Sequence, residues 1–262
     1  MQNAPATSIN VAKQKSKPEP YRGPLTPQTA AIGIKAAKEN AKRLLDDAQL
    51  LLDERRFPSA CALAALSIEE VCKPALIRKL LIAESPEQVR KGWQLFASHH
   101  DKAAPWLVPS VIASQPETYE DFVEHFMRTR DPILLDSLKQ LSIYLGCYGA
   151  CHWAAPIEVI EREQTDTVIS SARILILSSQ LSELDSAAGL VLWQTHMKGC
   201  FSVGYVTANN MIVQFFPKAH SEGLLKDSRI PPSVAFDFMS TALVLSDGEA
   251  AEQELMYGIP HL

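Results

Sequence analysis

An all-α fold, an antiparallel helical bundle carrying a C-terminal extension, follows from three features of the sequence. Apolar residues recur at steps of three and four, helix-start signals stand ahead of the periodic segments, and one segment is apolar nearly all round. Hydrophobic residues make up 47% of the 262 and charged residues 21%, a balance that suits a chain folding around an apolar core and excludes a largely disordered one. No apolar run approaches the roughly 18–20 uninterrupted residues that cross a bilayer, so no membrane association is expected.

Residues 1–25 are rich in Pro, Lys and Ser and poor in apolar side chains; they bury too little to offset the entropy of ordering and are expected to form a flexible basic tail. Thr26-Pro27 then reads as an N-cap followed by proline at the first helical position, where the missing N–H costs nothing. The helix it opens carries Ile34, Ala37, Ala41, Leu44, Leu45, Ala48, Leu51 and Leu52 on one stripe, with Lys38, Lys42, Arg43, Asp46, Asp47 and Asp53 expected on other faces. Beyond the Glu54-Arg55-Arg56 break, a second helix is expected from about Pro58 toward Ile82. Between Arg56 and Arg78 its only charges are Glu69, Glu70 and Lys73, so it should lie centrally. Pro74 removes an N–H and clashes with the carbonyl four residues earlier, which predicts a kink or break there.

Ser85-Pro86-Glu87-Gln88 has the pattern of a capping box opening a third helix, which runs through Val89, Trp93 and Phe96 toward His99. A helical pattern over residues 117–145 is interrupted at Asp131-Pro132, and residues 146–156 read as a loop. A further helix is expected over residues 163–185. Residues 201–207 and 211–216 fit either a short β-hairpin or short helices, because their alternation does not decide between them. Pro231-Pro232 precedes a helix through Val244. The resulting division is a tail (1–25), a helical domain (26–190) and an extension (191–262).

The net charge is −5, and residues 1–25 hold Lys13, Lys15, Lys17 and Arg22 against Glu19, so the body is more acidic than the whole. Such a body is a poor nonspecific polyanion binder, although a local basic cleft stays open. The five cysteines form an odd set and no apolar leader precedes them, which predicts free thiols and a reducing cytoplasm. Cys147-x3-Cys151-His152 lacks the second ligand pair of a zinc site. Phosphate-binding glycine loops, HExxH and GxSxG are absent, so neither metal nor cofactor is expected.

Chemistry is concentrated in two short segments. Glu69 and Glu70 stand four and three residues before Lys73, within reach on one helix, and charges in so apolar a segment must be paired. They read either as a structural ion pair or as a pair whose spare carboxylate holds a histidine or a ligand. His99 and Lys102 are three apart and could face the glutamates from a neighbouring helix. An imidazole titrating near neutrality and a second cation fit metal-independent RNA cleavage, the first as base and the second beside the phosphate. His100 is expected to face solvent beside them.

These residues, taken in order, resemble the AbiV-type abortive infection proteins of the HEPN helical superfamily. Residues 39–48, which open Glu39-Asn40-Ala41, are similar to that family's first helix, and residues 59–73, ending Glu69-Glu70-Val71-Cys72-Lys73, resemble its alanine-rich helix with EExxK. His99-His100-Asp101-Lys102 is similar to its HxxK segment, and Leu141–Tyr144 with Trp153–Pro156 resembles the turn before its final helix. The resemblance spans residues 28–185. It implies an HEPN-like bundle, often paired as a homodimer, that stops phage propagation by acting on RNA or translation or by binding a phage protein. Carried over position by position, it points to His99, Lys102, Glu69, Glu70 and Lys73 as the catalytic group and to Asn40, Arg90 and His100 as binding residues. Arg90 and His99 stand further apart than the Arg and His of HEPN ribonucleases, which keeps a non-enzymatic interaction protein as the alternative.

Overall fold

The computed structural model describes residues 19–98, 132–180, 182–226 and 232–245. Helix α1 (Pro27–Asp53) starts as its sequence requires: the Thr26 hydroxyl accepts from the Thr29 N–H while the Thr29 hydroxyl accepts from Thr26. Its apolar stripe is buried from Ala30 to Leu52. Helix α2 (Phe57–Val71) is alanine-rich and buried on most sides. The chain breaks at Cys72 and resumes as α3 (Lys73–Leu81) with Pro74 in its first turn, the position that tolerates proline and the reason the long helix is two.

Ser85 caps α4 (Pro86–Ala97) by accepting from the Gln88 N–H. Gln88 returns its Oε1 to the Glu84 N–H rather than to Ser85, so the reciprocal bond is one residue early. Beyond the next described stretch come α5 (Pro132–Ile143), β1 (Gly146–Tyr148), β2 (His152–Ala154), α6 (Pro156–Val159) and α7 (Arg162–Leu177). A 3-10 turn (Glu183–Asp185), α8 (Ala187–His196), α9 (Tyr205–Ser221) and α10 (Pro232–Leu245) follow.

The helical bundle expected from sequence is therefore the observed architecture, with three local differences. Residues 146–156 hold a two-stranded antiparallel hairpin, Cys147 opposite Trp153 and Tyr148 opposite His152, where a loop was expected. The helix expected over 163–185 ends at Leu177. In the C-terminal part the hairpin alternative fails: residues 205–221 are one helix, whose Ala208, Ile212, Phe215, Phe216 and Ala219 face the core at helical spacing.

Two apolar clusters fill the bundle. One joins the second half of α1 to α2, Leu135 of α5 and Val168, Ile169, Ala172 and Leu175 of α7. The other joins Ala30 and Ile34 of α1, Ile77 and Leu81 of α3, and the buried faces of α8, α9 and α10. Residues 184–245 thus share a core with α1 and α3, and position 190, where the sequence suggested a boundary, lies inside α8. At the centre of that core Trp193 is fully buried and meets the rings of Phe215 and Phe238 edge-on. Gly189 lets α8 approach the preceding turn: a Cβ there would lie 2.5 Å from the Leu184 carbonyl oxygen, a backbone atom with little room to shift. Gly189→Ala should therefore destabilise the fold by about 1–3 kcal/mol, read as a lower urea midpoint with an unchanged slope.

Candidate functional site

The segment Glu69–Lys73 spans the end of α2, the break at Cys72 and the first residue of α3. Successive helical positions differ by about 100°, so Glu69 and Glu70 diverge. Glu69 is buried, and its Oε1 accepts from Lys139 Nζ of α5, which also lies 2.8 Å from Asp136. Burial works against the Lys139 ammonium, but hydrogen bonds from Asp136 and Glu69 raise its pKa and keep it charged. Glu70 instead meets Lys73, with both side chains about one-fifth exposed. An ammonium at a helix N-terminus opposes the helix dipole, and Glu70 supplies the compensating charge. Lys73 also sits 5.4 Å from the centre of the Phe96 ring in the last turn of α4.

The expected group is thus only partly brought together. Glu69 belongs to a buried ion pair with Lys139, which the sequence reading did not anticipate, and Glu70 with Lys73 forms a separate, half-open pair. His99, His100 and Lys102 lie outside the described residues. Asn40 accepts from the Arg43 side chain one turn along α1 at 2.9 Å, and Arg90 is an exposed partner of Glu87 at 3.9 Å. Neither of these contacts involves the EExxK residues.

A second constellation escaped sequence reasoning altogether. Lys38 of α1, Arg78 of α3, Asp185 of the 3-10 turn and Asp237 of α10 form a closed set of two cations and two carboxylates, all buried. Lys38 corrects an expectation: it lies on the buried side of α1, not on an outer face. Its Nζ donates to Asp185 at 3.0 Å, to Asp237 at 2.8 Å and to the Gln180 carbonyl at 3.2 Å. The Arg78 guanidinium, fully buried, donates to Asp185 at 2.6 Å, to Asp237 at 2.9 Å and to the Thr241 hydroxyl, and stacks 4.1 Å from the Phe238 ring centre. Such a fork suits two carboxylates at once. Burial alone would raise the Asp237 carboxyl, but Arg78 and Lys38 hold it well below the usual carboxylate range.

This network is structural in character. The cavity beside it, lined by Cys72, Ala75, Leu175, Ser179, Asp237 and Ser240, holds about 10 Å³, room for one water and no substrate. Next to Arg78, Lys79 donates to the Val244 carbonyl at 2.7 Å, in the last turn of α10. Adjacent basic residues of α3 therefore fasten α10 to the bundle. The reactive-looking surface is elsewhere, at the Glu70–Lys73 pair and the α4 end that Phe96 occupies.

No helix among the described residues is long and apolar enough to cross a membrane. Comparison with curated proteins and with solved structures returns no match. The family model for the AbiV form of the HEPN domain matches residues 29–177, a span that runs from the first turn of α1 to the last residue of α7 and takes in the whole EExxK segment. On that match the chain belongs to the AbiV family of HEPN-type abortive-infection proteins.

Proposed function

We propose that this abortive-infection protein is an effector acting on RNA, with His99 as the general base and Lys102 as the cation beside the scissile phosphate. The observation that supports the reading is the Glu70–Lys73 pair. It is charged, partly open to solvent, and in contact with Phe96, three residues before His99 in the chain. In the proposed reaction the His99 imidazole takes the proton of a ribose 2′-hydroxyl, and the freed oxygen attacks the adjacent phosphorus. Lys102 stabilises charge on the phosphorane, the bond to the 5′-oxygen breaks, and a cyclic phosphate and a 5′-hydroxyl remain. Glu70 and Lys73 position the imidazole, Glu69 fixes the helix that carries them, and Arg90, Asn40 and His100 supply polar contacts to the strand. The active form is a homodimer in the cytoplasm.

Incubation with tRNA or total RNA in EDTA tests this. The wild-type chain should leave cyclic-phosphate ends, and His99→Ala should cut the rate by about 10²–10⁴-fold. Equal activity of the two chains rules the catalytic reading out. A second reading, capture of a phage or host protein without turnover, is favoured by the apolar surface around the hairpin. Tyr144, Leu145, Tyr148, Trp153 and Ile157 are all more than half exposed in the described structure, and clustered apolar surface of this kind marks interaction sites. Trp153→Ser should abolish protection in infected cells on that reading while leaving RNA cleavage untouched on the first.

A further inference from the structure

The hairpin between α5 and α6 carries a feature that neither the RNA-directed site nor the bundle core uses. Its turn is formed by Gly149, Ala150 and Cys151, between the paired residues Tyr148 and His152. Gly149 (φ 53°) and Cys151 (φ 66°) both adopt left-handed backbone. A three-residue hairpin loop normally ends on a left-handed residue, and glycine is the usual occupant because a side chain there is disfavoured. Here a cysteine takes that position. The consequence is local: Cys147 on β1 and Cys151 at the end of the turn stand with their sulfurs 3.9 Å apart, the thiol of one donating to the other. Both are exposed, whereas Cys61, Cys72 and Cys200 are buried. Burial pushes the Cys61, Cys72 and Cys200 thiols up, which leaves them poor nucleophiles.

We propose that Cys147 and Cys151 form a dithiol modification site, converted reversibly to an intramolecular disulfide by low-molecular-weight disulfides such as oxidised glutathione. The sulfurs need to close from 3.9 Å to the roughly 2 Å of a covalent bond, a movement available to two exposed side chains on a short turn. The thiolate of one cysteine attacks a sulfur of oxidised glutathione and expels one glutathione thiolate. The second cysteine, as thiolate, then attacks the protein sulfur of the mixed disulfide and expels the other. Two protein thiols are oxidised and one glutathione disulfide is reduced to two thiols; the two protons go to solvent and to the leaving thiolates. Among the described residues no group of three or more His, Cys, Asp or Glu is arranged to hold a metal ion, and His152, although adjacent in sequence, does not convert the pair into such a group. Closing the ring ties down the turn between Tyr148 and Trp153, so the modification acts on the apolar surface of the hairpin.

The test uses the full chain under native conditions. After treatment with oxidised glutathione, intact-mass measurement should show the loss of two hydrogens with no retained glutathione. Peptide mapping should place the cross-link between Cys147 and Cys151, and dithiothreitol should reverse it. Cys147→Ser and Cys151→Ser should each instead keep one glutathione on the remaining cysteine. Cys151→Gly, which suits the left-handed backbone and keeps the hairpin, should behave as Cys151→Ser does, and hydrogen exchange over residues 146–154 should slow only in the oxidised wild type. Retained glutathione on the wild type, a cross-link between two chains, a bond to one of the buried cysteines, or no reaction at all overturns the proposal.

Discussion

Arg78→Met should lower the stability of the folded chain by about 3–5 kcal/mol, enough to consume much of the usual margin of a domain this size. The side chain is fully buried and its guanidinium serves Asp185, Asp237 and Thr241 together. Its removal leaves two buried carboxylates with Lys38 as their remaining cation within the network, and it takes away the stacking on Phe238. Arg78→Lys should recover only part of the loss, since a single ammonium cannot reproduce the two-carboxylate fork. Urea denaturation with a coincident far-ultraviolet and tryptophan signal reads the difference, Trp193 being a reporter inside the same core because its ring N–H donates to the Arg78 carbonyl. An Arg78→Met chain as stable as wild type would mean that the network contributes specificity and no stability.

The same cluster sets an acid limit. The Asp237 carboxyl titrates lower in the folded chain than in the unfolded chain, because Arg78 and Lys38 outweigh the burial that opposes them. The unfolded chain therefore binds more protons in that range, so stability from this group is fully present above the unfolded carboxylate value of about 4 and is lost as the pH falls toward the folded value. Urea midpoints of the wild type should drop over that interval, and those of Asp237→Asn, already low, should fall less steeply.

What the sequence could and could not disclose divides along the range of the interactions. The starts of α1 and α4 rest on Thr26 bonding Thr29 and Ser85 bonding Gln88, contacts within one turn, so single residues signal them. The break before α3 is likewise local, a property of Pro74. The Lys38–Arg78–Asp185–Asp237 network joins residues up to 199 positions apart, and no local pattern registers such a pairing. One sign was present: Lys38 is four residues from Ile34 and three from Ala41, both buried on the stripe of α1, which places it on the core side by periodicity alone. Charge was taken as a sufficient reason to put it outside. The pairing within the EExxK segment was misjudged for a related reason, since helical spacing allows Lys73 to reach either glutamate and only α5, through Lys139, decides which one it takes. The family likeness covers α1–α7 and carries no information on α8–α10, where half of the apolar core and two of the four network residues reside.

Lys139→Met separates the structural from the functional role of the glutamates. Glu69 and Asp136 would both lose the ammonium that lies within 2.8 Å of each, and the cost should be on the order of 3 kcal/mol at neutral pH. The buried Glu69 carboxyl would then favour its protonated form, so its pKa in the folded chain should rise above the unfolded value. The sign of the pH dependence follows: the folded variant binds the extra proton, and its deficit relative to wild type should shrink as the pH is lowered through the folded pKa and grow as it is raised. Glu69→Gln combined with Lys139→Met should be more stable than Lys139→Met alone, because the uncompensated charge is gone. Lys73→Ala should differ in kind. Its pair with Glu70 is part exposed, so solvent screening leaves a loss of about 1 kcal/mol or less, while RNA cleavage should fall because the positioning group is removed. If Lys139→Met lowers activity no more than its folded fraction accounts for, and Lys73→Ala lowers activity in a fully folded chain, the buried glutamate holds the bundle and its neighbour serves the chemistry. The reverse pattern would move the functional site to the Glu69–Lys139 pair.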